Sequence, residues 1–189
     1  MTKLNIKKII EELIDTFYYA GQIALDLRKK GLIKKIKSDN TPVSNGDIEV
    51  DNIITKKINE LTPKIPIISE ERSENKSLSN LENFWLVDPI DGTYDYINNL
   101  EEFTLNAGLI LDKKPAGGII FAPSKERMFY SYGQNYAYEI FDGKTIQLNC
   151  SKNFNANEIK FVSYSNKIKP EIEKIYKNLN VKRYKRMKS

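Results

Sequence analysis

The sequence contains no histidine, one cysteine and one tryptophan in 189 residues. The lack of histidine excludes a Ser-His-Asp or Cys-His nucleophile, a histidine-ligated zinc site and a histidine general base. The single cysteine, Cys150, excludes an intrachain disulfide framework, and without a histidine to activate it we expect a structural or exposed thiol. Acid–base or metal chemistry in this chain therefore has to use carboxylates, lysine, tyrosine or hydroxyl groups.

Long apolar runs are also missing from the sequence. The apolar stretches are far shorter than the roughly 18 residues that cross a bilayer. The N-terminus, MTKLNIKKIIEE, is interrupted by charges where a signal peptide would be apolar. We therefore expect a cytoplasmic protein without membrane association. With 40% hydrophobic residues, the chain is too apolar to be disordered and long enough for about one domain with a sizeable core.

The excess of positive charge is confined to one end of the sequence. The net charge is +5, and residues 181–189 (VKRYKRMKS) contain five basic residues and no acid. Without them, basic and acidic residues are equal in number, so the body has no general field that would steer it to a phosphate backbone. Nucleic-acid binding through residues 182–188 rests on this charge run alone, and we expect no nucleic-acid partner.

Apolar periodicity predicts helices over residues 4–30 and about 45–61 in the first part of the chain. Ser44 and Asp47 have the spacing of a capping box at the start of the second helix. A short strand is predicted from Ile33 to Lys37, followed by a turn from Asp39 to Val43.

The pattern of the later residues is typical of strands joined by turns. Residues 103–148 predict antiparallel strands, which we expect to pack under the two helices. A strand over 159–165, a helix over 169–179 and a strand or tail over 181–188 follow. We predict an α+β domain over residues 1–150 and the start of a second, α/β domain over 151–189.

Acidic residues follow two apolar runs. PIIS leads into Glu70-Glu71, and FWLV leads into Asp88-Pro89-Ile90-Asp91. Acids held at strand ends are hard oxygen ligands that suit Mg²⁺, and the Ile90 carbonyl could add another oxygen. Gly92 and Thr93 then open a helical turn whose free N–H groups could bind an anion.

Structural explanations of the same residues stay open from spacing alone. Asp88 and Asp91 could be turn and helix-capping residues, Glu70-Glu71 could begin a solvated loop, and Asp47 is explained by its cap. We expect four further acids to be solvated: Asp51, Asp95, Glu101 and Glu102.

The run WLVDPIDGT, preceded by PIISEE and TPVSNGD, resembles the Mg²⁺-dependent, lithium-sensitive phosphatases of the inositol monophosphatase family. The segments KSDNTPVSNGD, GTYDYINNLEEFTLNAGLI and GGIIFAPSKERMFY are most similar to its 3'(2'),5'-bisphosphate nucleotidases. The resemblance implies a layered αβαβα sugar-phosphatase fold. It also implies hydrolysis of a small phosphomonoester, most nearly adenosine 3',5'-bisphosphate to AMP and phosphate, with inositol-1-monophosphatase activity as the alternative.

The resemblance also implies roles for individual residues. Glu70, Asp88 and the Ile90 carbonyl would hold a first Mg²⁺, and Asp88 and Asp91 a second. Asp47 and Thr93 would orient and deprotonate the attacking water with help from Glu70. The phosphate would be bound at Asp91 and by the N–H groups of Gly92 and Thr93.

The sequence departs from the family pattern in its later half. Family members are usually longer and carry a W-D motif whose Asp completes the second metal site, whereas the only tryptophan here, Trp85, precedes the DPID motif. Asn45-Gly46 also replaces the small residues common before the first acid. We therefore expect a truncated C-terminal part with uncovered apolar surface, which a second copy could cover as a homodimer. A catalytically impaired metal-binding remnant stays open as a further alternative.

Overall fold

A computed structural model describes residues 5–37, 41–72, 81–149, 160–163, 168–179, 181 and 183–186. Internal contacts divide the chain into two units, Met1–Leu148 and Asn149–Ser189. Cys150 lies outside the described residues, so the expectation for its thiol stays a prediction. None of the described helices is long and apolar enough to span a bilayer.

Two long helices form one layer of the first unit. Helix α1 runs over Ile6–Lys30, with Asn5 as its N-cap and Gly31 at its C-terminal end at φ 97°. Helix α2 runs over Asn45–Leu61 and begins with the capping box predicted from the sequence. A hairpin of strands β1 (Lys34–Ile36) and β2 (Pro42–Ser44) connects the two helices.

The predicted turn from Asp39 to Val43 is wrong in its second part. Val43 lies in β2 and pairs with Lys35 of β1. Val43 is also buried, so contacts made by the folded chain extend the strand over residues that the sequence alone marks as a turn.

The second layer is a seven-stranded sheet in the order β3-β4-β5-β6-β7-β8-β9. Its first two strands are parallel, all other neighbours are antiparallel, and a short α3 (Thr93–Ile97) follows the second strand. The strands are β3 (Ile67–Ser69), β4 (Phe84–Asp91), β5 (Thr104–Leu111), β6 (Lys114–Ala122), β7 (Arg127–Ser131), β8 (Ala137–Phe141) and β9 (Lys144–Gln147).

The core lies between the two helices and one face of this sheet. Helices α1 and α2 and the central strands bury their apolar faces here, because burial of such side chains is the main favourable contribution to folding. The buried side chains include Ile10, Leu13, Phe17, Val50, Ile54, Ile58, Trp85, Val87, Leu105, Leu109 and Ile119. Trp85 also donates its indole N–H to the Thr62 hydroxyl at 3.0 Å, so its polar atom is satisfied inside the core.

The second unit has an α/β character within its described residues. Strands β10 (Lys160–Ser163) and β11 (Arg183–Arg186) pair in parallel, and α4 (Pro170–Asn178) lies between them in sequence. The Phe161 and Tyr176 rings are 4.8 Å apart, which packs α4 against β10. Ile172, Ile175 and Leu179 are all exposed, as expected for a helix whose apolar face is incompletely covered.

Candidate active site

The site forms where β4 leaves the sheet. The pairing of β4 with β5 is regular as far as Asp88, which lies opposite Asn106, and is then irregular until Asp91, opposite Thr104. Such an irregularity changes the direction of the side chains around it. Pro89 and Ile90 are buried between the two acids, so the backbone that carries Asp88 and Asp91 is held by the fold.

Parallel pairing brings Glu70 to the same place. Ser69, the last residue of β3, pairs with Val87, and the Glu70 N–H donates to the Val87 carbonyl at 3.1 Å. Glu70 and Asp88 line the same cavity. A solvated loop therefore describes only the Glu70 side chain, which is nearly half-exposed. The Glu70 backbone is fixed by its hydrogen bond to β4.

The crowding of acids changes their protonation. Burial, the charges of Glu70 and Asp91 and the hydrogen bond with Glu70 raise the pKa of Asp88 to about 8. Burial and the charge of Glu70 also raise the pKa of Asp91, although the Gly92 N–H that donates to it acts in the opposite direction. Neighbouring negative charges in a partly buried site favour protonation unless a cation compensates them.

Asp47 approaches the same acids from α2. Its Oδ2 accepts hydrogen bonds from the Ser44 N–H at 2.8 Å and the Ser44 hydroxyl at 2.6 Å, so it does cap the helix. Its Oδ1 lies 3.2 Å from the Thr93 hydroxyl, which also lies 3.0 Å from the Ile90 carbonyl. Burial raises the pKa of Asp47 despite these hydrogen bonds. Asp47 is therefore both a capping residue and a contact of Thr93.

The unusual Asn45-Gly46 pair has a structural explanation. Asn45 Oδ1 accepts the Ile33 N–H at 2.9 Å, which ties the start of α2 to the segment before β1. A Cβ on Gly46 would overlap the Tyr96 hydroxyl, which donates to the Ala24 carbonyl at 2.7 Å. The geometry of Asp47 is thus supported by these two residues.

Gly92 makes the sharp turn from β4 into α3. It has φ 90° and ψ 36°, a left-handed conformation that favours glycine. A Cβ here would also lie 2.8 Å from the Glu102 carbonyl oxygen. The turn places Thr93 beside Asp47.

Two acids that we expected to be solvated are buried. Asp51 accepts hydrogen bonds from the Ser69 hydroxyl and, at 2.7 Å, from Arg72 Nε. Asp95 in α3 is buried as well. The partners of Asp51 come from the end of β3, so the periodicity of α2 alone could not reveal them. Glu101 is exposed, as predicted, with Lys125 at 3.5 Å, whereas Glu102 is half-buried.

Sequence reasoning missed a cation next to Glu70. Lys37 Nζ lies 2.7 Å from a carboxylate oxygen of Glu71 and 3.5 Å from one of Glu70. Lys37 ends the predicted first strand, and only the pairing of that hairpin brings it to the end of β3. The lysine partly balances the negative charge of this side of the site.

Asn106 is a second residue that sequence reasoning did not single out for the site. The Oδ1 atoms of Asn106 and Asp88 are both fully buried, and neither has a hydrogen-bond partner in the described part of the chain. The two residues face each other across β4 and β5 and line a cavity of about 410 Å³ together with Glu70. The place of Asn106 in the site follows from the pairing register of β4 and β5, which a single sequence does not fix. Buried oxygen atoms without a donor indicate that a ligand or cation completes this position.

The donor set fits a hard divalent cation by its chemistry. Glu70, Asp88 and Asp91 supply carboxylate oxygens, and the orphaned Asp88 Oδ1 lacks the partner that a cation would provide. Within the residues that the structure describes, no group of three acids is already gathered closely enough to hold an ion. Like charges oppose such a gathering until a cation is present.

The sequence of the chain is similar to those of known proteins. The family model described as the inositol monophosphatase family matches residues 5–188. The 3'(2'),5'-bisphosphate nucleotidase CysQ of Aggregatibacter actinomycetemcomitans is 32% identical over 142 residues, which cover 74% of this chain and 53% of the relative. The chain thus spans about half the length of the curated relatives it matches.

Solved structures show the same fold. The crystal structure of CysQ from Bacteroides thetaiotaomicron has a TM-score of 0.69 and 21% identity, covering 97% of this chain and 73% of that one. An IMPase/NADP phosphatase crystallised with Mg²⁺ and phosphate has a TM-score of 0.74 and 13% identity, covering 96% and 67%. The mixed α and β architecture predicted from the sequence is confirmed. The chain belongs to the inositol monophosphatase family.

Proposed function

We propose that this protein is a Mg²⁺-dependent phosphatase of the cytoplasm that acts on a small phosphomonoester. The best candidate substrate is a 3',5'-bisphosphate nucleotide, from which it would release the 3'-phosphate of adenosine 3',5'-bisphosphate and leave AMP. The observation that carries the proposal is that parallel pairing brings Glu70 beside β4, which carries Asp88 and Asp91, next to the Thr93–Asp47 contact. The similarity to the 3'(2'),5'-bisphosphate nucleotidase CysQ and the Mg²⁺ and phosphate bound to a structural neighbour support it.

Carboxylates at the end of the sheet would hold the metal ions. In this proposal Glu70, Asp88 and the Ile90 carbonyl bind one Mg²⁺, and Asp88 and Asp91 bind another. Bound Mg²⁺ makes water easier to ionise and neutralises charge at the attacking and leaving oxygens.

Thr93 and Asp47 would control the proton of the attacking water. When the Thr93 hydroxyl donates to Asp47 Oδ1, its oxygen is free to accept a proton from water. Ser44 holds the other carboxylate oxygen of Asp47, so the carboxylate cannot rotate away. Burial raises the pKa of Asp47, which makes its carboxylate a stronger base.

Gly92 and Thr93 would bind the phosphate through their N–H groups. The Gly92 N–H lowers the pKa of Asp91 and so lies beside a proposed metal ligand. In this proposal, the metal and the phosphate would therefore occupy neighbouring positions at the turn from β4 into α3.

A phosphate-release assay tests the proposal. We expect Mg²⁺-dependent release from adenosine 3',5'-bisphosphate in preference to inositol 1-phosphate. Asp47→Asn keeps a good capping residue, and it should reduce turnover by about 10²–10⁴-fold if Asp47 moves a proton. Asp112→Asn, in an exposed turn at φ 51°, is the matched control and should retain full activity. Absence of turnover with Mg²⁺ or Mn²⁺ on either substrate would contradict the proposal.

A metal-binding domain without turnover is the second candidate. It is favoured by the sequence, in which the only tryptophan, Trp85, precedes the DPID motif, so the W-D motif that completes the second metal site in the family is not among these residues. Calorimetry distinguishes the two. A single weak Mg²⁺ site without phosphate release supports the non-catalytic alternative, and binding of two ions with turnover rejects it.

A further inference from the structure

Asp51 is a buried acid that the proposed chemistry does not use. It lies one helical turn after Asp47, and Thr55 lies one turn after Asp51, so all three project from one face of α2. The same face therefore carries a candidate catalytic residue and, next to it, a buried carboxylate with a different set of partners.

The partners of Asp51 come from the end of β3. Asp51 Oδ1 accepts the Ser69 hydroxyl, and Oδ2 accepts Arg72 Nε at 2.7 Å. Arg72 Nη2 donates to the Thr55 hydroxyl oxygen at 2.7 Å, and that hydroxyl donates to the Asp51 carbonyl at 2.7 Å. The planar guanidinium of Arg72 thus spans two turns of α2, a geometry that a lysine cannot reproduce.

These contacts enclose the segment that carries Glu70. Ser69 and Arg72 stand on either side of Glu70 and Glu71, and the Arg72 N–H donates to the Ser69 carbonyl at 3.3 Å. The Glu70 side chain is nearly half-exposed, so its position depends on the backbone that carries it. Fixing residues 69–72 to α2 places Glu70 on the same rigid support as Asp47.

We propose that Asp51 and Arg72 are positioning residues for Glu70, which hold it at a fixed separation from Asp47 so that it can bind a divalent cation. This inference rests on the proposed role of Glu70. An ion pair of this kind is weak evidence for a contribution to stability, because desolvation offsets much of the attraction. Positioning of the acid is the more specific role for a pair that joins α2 to the end of β3.

Arg72→Ala and Arg72→Lys test the inference, with Arg127→Ala as the matched control. The Arg72 and Arg127 side chains are 47% and 45% exposed, and each pairs through Nε with a carboxylate at 2.7 Å, Arg127 with Glu139 on β8. Both alanine variants should therefore fold and lose similar amounts of thermal stability.

The readouts are Mg²⁺ affinity by calorimetry and amide hydrogen exchange of residues 70–72. We expect Arg72→Ala to weaken Mg²⁺ binding by about 10-fold or more, as for other residues that orient metal ligands, and to speed exchange at these amides. Arg72→Lys should recover part of the loss, and Arg127→Ala should leave both readouts unchanged.

Two results would overturn the inference. One is an unchanged rate of amide hydrogen exchange at residues 70–72 in Arg72→Ala. This result contradicts the inference even if the wild-type chain binds no Mg²⁺. The other is faster exchange with unchanged Mg²⁺ affinity in a chain that does bind the ion. Lack of phosphate release by the wild-type chain bears on the proposed activity alone, because neither readout depends on turnover.

Discussion

At the scale of single residues, Asp88 shows how crowding of acids changes the protonation of a carboxyl group. It is partly buried, lies close to Glu70 and has one oxygen without a partner among the described residues. A carboxyl group in such a position is more stable protonated, so without a cation the fold keeps a proton there. A cation would replace this proton.

The pH dependence of stability in the metal-free protein tests this description. The pKa of Asp88 is about 8 in the fold against an ordinary 3.8, so between these values the folded chain binds more protons than the unfolded one. Stability should therefore fall as pH rises from about 4 to about 8, and should be fully reduced above that. No histidine titrates in this window to obscure the effect.

Thermal unfolding in the presence of a chelator measures this effect. Asp88→Asn should unfold with a much smaller change in Tm between pH 5 and pH 8, and saturating Mg²⁺ should raise the Tm most at the higher pH. A Tm that rises with pH, or an equal slope in Asp88→Asn, would show that Asp88 is not protonated in the metal-free fold.

At the scale of elements, α2 organises the site. Its first residues cap the helix and hold Asp47, and its next turns fix the end of β3 through Asp51 and Thr55. The contact of Gly46 with Tyr96 sets how closely α2 approaches α3, on which Thr93 lies.

Gly46→Ala tests this close approach. The added methyl would overlap the Tyr96 hydroxyl, and we expect a loss of about 1–3 kcal/mol in the free energy of unfolding. Gly108→Ala is the matched control, because a Cβ there meets nothing within 4 Å. Chemical denaturation of both variants checks the prediction. A loss in Gly108→Ala as large as in Gly46→Ala would mean that glycine replacement, and not the Tyr96 contact, is responsible.

Local signals predicted the elements better than the contacts between them. The bounds of α2 and its capping box follow from residues within one or two turns of each other, and the structure has both as predicted. The burial of Asp51 was missed because Ser69 and Arg72 lie about twenty residues further along the chain. Likewise, the part played by Lys37 and Asn106 depends on pairing registers that no local pattern specifies.

At the scale of the whole molecule, α1 and α2 cover one face of the seven-stranded sheet. On the opposite face, Leu86 and Ile120 are 47% and 46% exposed. The pairing of β4, β5 and β6 places both on the face that carries Asp88 and Asn106. A second cavity of about 440 Å³ is lined by Ile120, among other apolar residues of this face. Apolar side chains therefore lie next to the charged residues on this face.

Leu86→Lys and Ile120→Lys test whether this face is accessible in solution. We expect each to lower the fluorescence of bound anilinonaphthalene sulfonate and to leave the Tm nearly unchanged, because neither side chain belongs to the core. Ile36→Lys, at an exposed position of the β1–β2 hairpin, should change neither. A large fall in Tm for Leu86→Lys or Ile120→Lys would show that the face is covered.

The double use of Asp47 has a consequence for how this protein tolerates mutation. Asparagine at this position can still accept the Ser44 hydrogen bonds, so a screen that selects variants for expression or heat resistance would retain Asp47→Asn. If Asp47 acts as proposed, such a screen would accumulate well-folded copies without turnover, and only an assay of the reaction itself would detect the loss.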